Sequence, residues 1–176
     1  GTEGTDYATI SDITIAAGST TGTASLTPTD DAVYEGSETA IVAISAVSGG
    51  SATENGTQTQ TVTITDNETA PTVTLTASAA TTSENSGGSL TLTATLSTVT
   101  TANVTVSIGT SGTATESSDY ATISDITISA GSTTGTASFT LTNDSSVEGN
   151  ETATVSITSV TGGSATESGT QTITIT

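Results

Sequence analysis

The chemistry available to this chain is carboxylate chemistry. Residues 143–151 read NDSSVEGNE and residues 30–38 read DDAVYEGSE. The first run holds Asp144, Glu148 and Glu151; the second holds Asp30, Asp31, Glu35 and Glu38. The 176 residues include no Lys, Arg or His, and the formal charge is −18. No side chain of the chain can neutralise these acids, so a cation from outside is the expected partner. Oxygen donors without His or Cys suit a hard divalent ion, and Ca²⁺ takes about six to eight oxygens at roughly 2.3–2.6 Å. Mg²⁺ fits less well, because it holds its waters more tightly. The competing reading is a plain solvated acidic loop.

The same composition excludes several classes of function. Phosphate backbones are gripped by Lys and Arg, and neither occurs, so no nucleic acid partner is expected. Attraction to an anionic membrane surface is disfavoured for the same reason, and no apolar run is long enough to insert into a bilayer. A serine nucleophile would lack its usual base without His, Cys or Lys. Paired carboxylates can run glycoside hydrolysis, but Tyr7, Tyr34, Tyr120 and Phe139 are the only aromatic residues to make a sugar platform. The expectation is a protein that is not an enzyme. There is no cysteine, which leaves the redox compartment open.

The elements that must position the acids read as strands. Thr supplies 48 residues, and β-branched side chains suit a half-buried pleated surface. Apolar residues alternate with Thr or Ser in 73–77, 90–96, 104–108, 126–129, 136–142, 152–157 and 171–176. That period of two predicts seven strands with one face buried. Gly87–Gly88, Gly109, Gly131, Gly162–Gly163 and Gly169 punctuate them. Short strands at regular spacing predict an all-β chain of immunoglobulin-like β-sandwiches. The regular Thr arrays, such as Thr57 to Thr65, are read as β-propensity and solubility rather than as a binding face.

An internal repeat organises the whole. Residues 6–29 recur as residues 119–142, an offset of 113, and the match continues to the SGGSATENGTQ and TGGSATESGTQ runs at 48–58 and 161–171. Residues 71–118 have no counterpart in the earlier copy. The expected domains are 1–69, a copy lacking its N-terminal strands, and 70–176, a nearly complete copy. Four strands are expected in the earlier copy, among them 23–29 and 39–47. Its missing strands predict an open edge, left by a cut through a longer array or filled by a strand donated from another chain.

A sandwich of this kind gathers the acids. Label its strands A to G: Glu84 falls in the A–B segment, Asp119 in C–D, and Asp144, Glu148 and Glu151 in E–F. In the earlier copy Asp6 falls in C–D, and Asp30, Asp31, Glu35 and Glu38 in E–F; Asp66 and Glu68 follow the last strand. All twelve are expected at one tip of their own domain. Asp12 and Asp125 read as turn residues, and Tyr7 and Tyr120 as packing.

At these residues the chain resembles the Calx-beta family. The carrying motifs are GTAxxxxDY at 112–120, ITISAG at 126–131, NDxxxEGNET at 143–152 and TITDNE at 63–68. The resemblance implies calcium held at the tip by acids of these loops. It implies Asp6, Asp30, Asp31, Glu35, Glu38, Asp66 and Glu68 in the earlier copy, with Asn67 and the Val33 carbonyl as additions. In the later copy it implies Glu84, Asp119, Asp144, Glu148 and Glu151, with the Ser146 carbonyl. Asn143 departs from the pattern, standing where the first acid of the E–F pair is expected.

The expected function is a calcium-rigidified structural repeat of a bacterial extracellular or cell-surface adhesin or filament. Its expected partners are neighbouring repeats of the same protein, including a homopolymer. A calcium-sensing regulatory module and a subunit polymerising by donor-strand exchange are the alternatives.

Overall fold

The computed structural model describes residues 1–84, 88–168 and 170–175, the side chains from 168 onward excepted. The turn signals expected at Gly87 and Gly169, and the last residue of the strand expected to end at Thr176, lie outside the described residues. The strands run in chain order as β1 (Val33–Tyr34), β2 (Glu38–Ala43), β3 (Thr59–Ile64), β4 (Thr72–Ala77), β5 (Thr81–Thr82), β6 (Ser89–Leu96), β7 (Val99–Thr100), β8 (Val104–Gly112), β9 (Ile126–Ile128), β10 (Thr134–Thr140), β11 (Glu151–Thr161), β12 (Thr166–Ser168) and β13 (Thr170–Ile175). Among the described residues no helix is long and apolar enough to cross a membrane.

The chain divides into two units. Gly1–Asp31 with Gly36–Asn67 form the first, and Ala32–Glu35 with Glu68–Thr176 the second. The second is a β-sandwich. One sheet has the order β10-β6-β4-β12, the other β5-β13-β11-β8-β9. The alternation read from the sequence is the reason both sheets have an apolar inner face. Val73, Leu75, Leu90, Leu92, Ala94 and Leu96 from the first sheet meet Val104, Val106, Ile126, Ile128, Ala153 and Val155 from the second, all buried. The intervening Thr residues point outward: Thr91, Thr93 and Thr95 of β6 stand opposite Ser138, Thr136 and Thr134 of β10. Tyr120 stacks on Phe139 with ring centroids 4.8 Å apart and closes one end of this core.

Two details differ from the sequence expectation. β8 does not stop before Gly109; it runs to Gly112. Gly109 is there to admit a bulge in β11, where the register shifts between Ile157 and Ser159 and a Cβ on Gly109 would meet the Thr158 methyl at 2.5 Å. The second difference is larger. The first unit holds two strands, β2 and β3, paired antiparallel from Glu38↔Ile64 to Ala43↔Thr59, where four were expected. The run 23–29 forms no strand beyond a single bridge between Tyr7 and Pro28. The cause is a missing partner, since β10 of the second unit is held by β6 and β9 by β8. Both of those lie in the portion that has no earlier copy.

Candidate metal centre

The second unit builds its acidic cluster from loops fixed at both ends. Asp119 sits in the loop between β8 and β9, and a short turn anchors it. Its carboxylate accepts a hydrogen bond from the Thr115 N–H at 2.5 Å, and its own N–H donates to the Thr115 carbonyl at 2.9 Å. The Tyr120 carbonyl accepts from the Ser117 N–H at 2.8 Å. Buried Tyr120 then pins the turn to the core, leaving Asp119 only 7% exposed. Glu151 is the first residue of β11, so its direction is set by the ladder. Thr113 secures that start by accepting the Thr152 N–H on its hydroxyl at 2.9 Å. Gly112 lets the strands approach: its φ is +128°, and a Cβ there would meet the Thr152 carbonyl at 2.1 Å. Glu148 comes from the exposed loop between β10 and β11.

Asp119, Glu148 and Glu151 place carboxylate oxygens within 4.8 Å of one another. No Lys, Arg or His exists to compensate them, and the electrostatics record the strain. The Glu148 carboxyl is pushed above the usual carboxylate range by partial loss of water. The negative charges of Asp119, Asp144 and Glu84 then add to this, as does a hydrogen bond with Asp119. Glu151 is raised too, by loss of water first, then by its hydrogen bond with Asp119 and the charges of Asp119, Glu148 and Glu84. Two carboxyls hydrogen-bond each other only when a proton sits between them.

The first unit repeats part of this construction. Asp6, 9% exposed, accepts from the Thr2 N–H, and its own N–H donates to the Thr2 carbonyl at 2.9 Å. Asp6 and Glu38 bring carboxylate oxygens within 4.8 Å of each other. Glu38 also lies 3.6 Å from the terminal ammonium of Gly1. Asp66 accepts the Gly36 N–H at 2.7 Å, and Asp30 accepts from the Asn67 side chain at 3.1 Å. Asp31 is exposed in the same loop. Glu35 and Glu68 fall within the second unit. In the second unit Asp144 accepts the Ser146 N–H at 2.7 Å. Half-buried Glu84 stands close enough for its charge to act on both Glu148 and Glu151. Asp125 is a structural acid, accepting from the Ser107 hydroxyl at 3.0 Å.

The Calx-beta domain model matches residues 1–68 and again residues 66–176. The chain belongs to the Calx-beta family. A crystal structure of the apo form of the Calx CBD1 domain shares the fold, with a TM-score of 0.50 and 14% identity over 60% of this chain and 95% of that one. No curated protein matches the chain. Calx-beta domains are calcium-binding modules, and the donor set here fits the ion. Two ligands on opposite sides of a Ca²⁺ at about 2.4 Å lie about 4.8 Å apart, so oxygens this close can share one ion. The set is all oxygen and carries negative charge that nothing else offsets.

What the sequence did not reveal is the anchoring: the Thr115 N–H and the Thr113 hydroxyl. A signal was present in the Thr four residues before each acid, Thr2 before Asp6 and Thr115 before Asp119.

Proposed function

We propose that this chain is a structural repeat of an extracellular or cell-surface protein, an adhesin stalk or filament of a bacterial kind, stiffened by calcium. The observation that carries the reading is the Asp119, Glu148 and Glu151 cluster. Its three carboxylates come from two loops more than twenty residues apart in sequence, and no cation of the chain offsets them. In this reading Asp119, Glu148 and Glu151 hold the ion, with Asp144 and Glu84 completing the shell. Within the first unit, Asp6, Asp30, Asp31, Glu38 and Asp66 serve the earlier copy. The bound ion supplies positive charge that clamps the two loops together; the chain's residues supply position, through the Asp119 turn and the start of β11. Like-charge repulsion opposes the compact state until the ion is bound, and binding to the folded state alone stabilises it by mass action. The near-identical, Thr-rich tandem copies fit a load-bearing array better than a sensor beside a transporter. Neighbouring repeats are the partners in this reading.

Small-angle scattering and thermal melting in calcium and in chelator test the proposal. A longer, stiffer particle with a higher melting temperature in calcium is expected. Identical scattering and melting in both conditions would refute it.

A further inference from the structure

The loop 48–58 of the first unit lies between β2 and β3 and reads SGGSATENGTQ. It carries the chain's single Asn-Gly pair, Asn55–Gly56. Both residues are exposed and lie outside any strand. Gly56 holds φ at +71°, and no atom beyond its chain neighbours stands within 4 Å of where a Cβ would be. The Gly56 nitrogen therefore has no side chain of its own in the way of an approaching group. Gln58 braces the loop twice. Its N–H donates to the Glu54 carboxylate at 2.9 Å, and its side-chain amide donates to the Asn55 carbonyl at 2.7 Å. That carbonyl is conjugated with the Gly56 nitrogen. A donor on the oxygen draws electron density away from the nitrogen, which makes the Gly56 N–H easier to remove.

We propose that Asn55 is a modification site, converted to isoaspartate by the chain's own backbone without an enzyme. The Gly56 nitrogen gives its proton to hydroxide and bonds to the Asn55 Cγ. The Cγ–Nδ2 bond breaks, and Nδ2 leaves as ammonia after taking a proton from water. The product is a five-membered imide spanning the two residues. Water then opens the ring at one of its two carbonyl carbons. Attack at Cγ gives an ordinary aspartate. Attack at the main-chain carbonyl carbon leaves the chain running through Cγ, which is isoaspartate. One amide and one water become one carboxylic acid and one ammonia, and nothing is oxidised or reduced.

The change marks one copy only. Ser168 stands where Asn55 does, ahead of Gly169, and a serine side chain has no carbonyl from which to form the imide. Asn67, Asn103, Asn143 and Asn150 precede Glu68, Val104, Asp144 and Glu151, whose side chains crowd the attacking nitrogen. Isoaspartate adds one methylene to the main chain and one negative charge to a chain that already carries −18. Both changes fall in the loop that joins β2 to β3, just beyond the Ala43↔Thr59 pair that ends their ladder. The two near-identical copies thus become chemically different with age. The inference does not rest on the calcium reading, because no metal takes part in the step.

The test incubates the full chain at mildly acidic, neutral and mildly alkaline pH and follows each asparagine by peptide mass spectrometry. Isoaspartate is counted separately, with an isoaspartyl carboxyl methyltransferase and S-adenosylmethionine as the probe. Asn55 should lose its amide roughly tenfold faster than Asn103, the ratio that a barrier difference of about 1.4 kcal/mol gives, and the rate should climb with pH. Asn55→Ser should remove the methylation signal, and Gln58→Ala should slow the release of ammonia. An Asn55 that keeps its amide as long as Asn103 does would overturn the proposal. So would a folded chain that resists conversion while a free peptide of residues 48–58 converts, or conversion that yields no methyl acceptor. An unchanged rate in Gln58→Ala would overturn the part given to Gln58.

Discussion

Residues 6–29 and 119–142 differ only at Ala16/Ser129, Leu26/Phe139 and Pro28/Leu141, yet they do not fold alike. Their turns are the same. Asp6 and Asp119 are anchored by the same backbone contacts, and the Thr29 and Thr142 N–H groups reach the Asp6 and Asp119 carbonyls at 2.9 Å each. Gly18 and Gly131 take positive φ at matching places, and Gly22 and Gly135 approach the Thr14 and Thr127 carbonyls at the same distance. Their strands are not the same. Residues 126–128 and 134–140 are laddered, while 13–15 and 21–27 are not. A turn closes on hydrogen bonds a few residues apart, so its sequence carries it. A strand exists only against a partner, and the partner is residues 71–112. The metal cluster belongs with the turns: Asp6 is placed as Asp119 is, although 13–15 and 21–27 beside it are not laddered.

The sharpest way to break this comparison is to damage the front strands. Leu92→Ala removes a fully buried side chain of β6 and is expected to cost about 3 kcal/mol. Denaturant unfolding measures that cost, and amide exchange at 126–128 should move toward the rate at 13–15. The paired change Ile13→Thr with Ile15→Thr touches exposed positions and should shift stability by no more than about 0.5 kcal/mol per site. A large loss there would mean that the first unit already has a packed core.

The anchored acids provide the next comparison. Asp119→Asn keeps the turn's acceptor and removes the charge, so calcium affinity measured by titration calorimetry should fall by a factor of about ten to a hundred. Asp6→Asn should act in the same direction on the earlier copy.

Acidity separates the apo from the loaded state. The folded values of Glu148 and Glu151 are raised, so the folded state takes up protons before the unfolded chain does. In chelator, stability should therefore increase as pH falls from neutral through those raised values to the ordinary glutamate range, and gain nothing further from these groups below it. In calcium the trend should reverse, since protons and the ion compete for the same oxygens. Melting temperature against pH in the two media measures both slopes.

A small effect is also expected in the turn itself. Ser117 holds φ at +73°, where Gly4 stands in the earlier copy at +85°. Ser117→Gly should stabilise the second unit by up to about 1 kcal/mol, because a Cβ in the left-handed region costs roughly 1–2 kcal/mol and glycine's extra chain entropy offsets part of it.

Much of this was legible in the sequence. The period of two in 90–96 placed the inner face of β6 correctly, and the offset between Asp6 and Asp119 exposed the repeat. The acids of the later copy stood out because nothing in the chain balances them. What was not legible depended on partners distant in sequence. Residues 23–29 read as a strand as convincingly as 136–142 do, because alternation reports which face would be buried and not whether anything is there to bury it. The bulge opposite Gly109 was hidden for the same reason: a glycine in one strand answers to an irregularity in another.

The central claim is that Asp119, Glu148 and Glu151 seat a calcium ion. Differential scanning calorimetry of the chain and of its Glu148→Gln/Glu151→Gln variant, each in calcium and in chelator, tests it most directly. At calcium about a hundredfold above the dissociation constant, the parent's transition should rise by roughly 10–20 °C over chelator, and the variant's second-unit transition should not respond. A parent that melts at the same temperature with and without calcium, or a variant that responds as the parent does, would contradict the account.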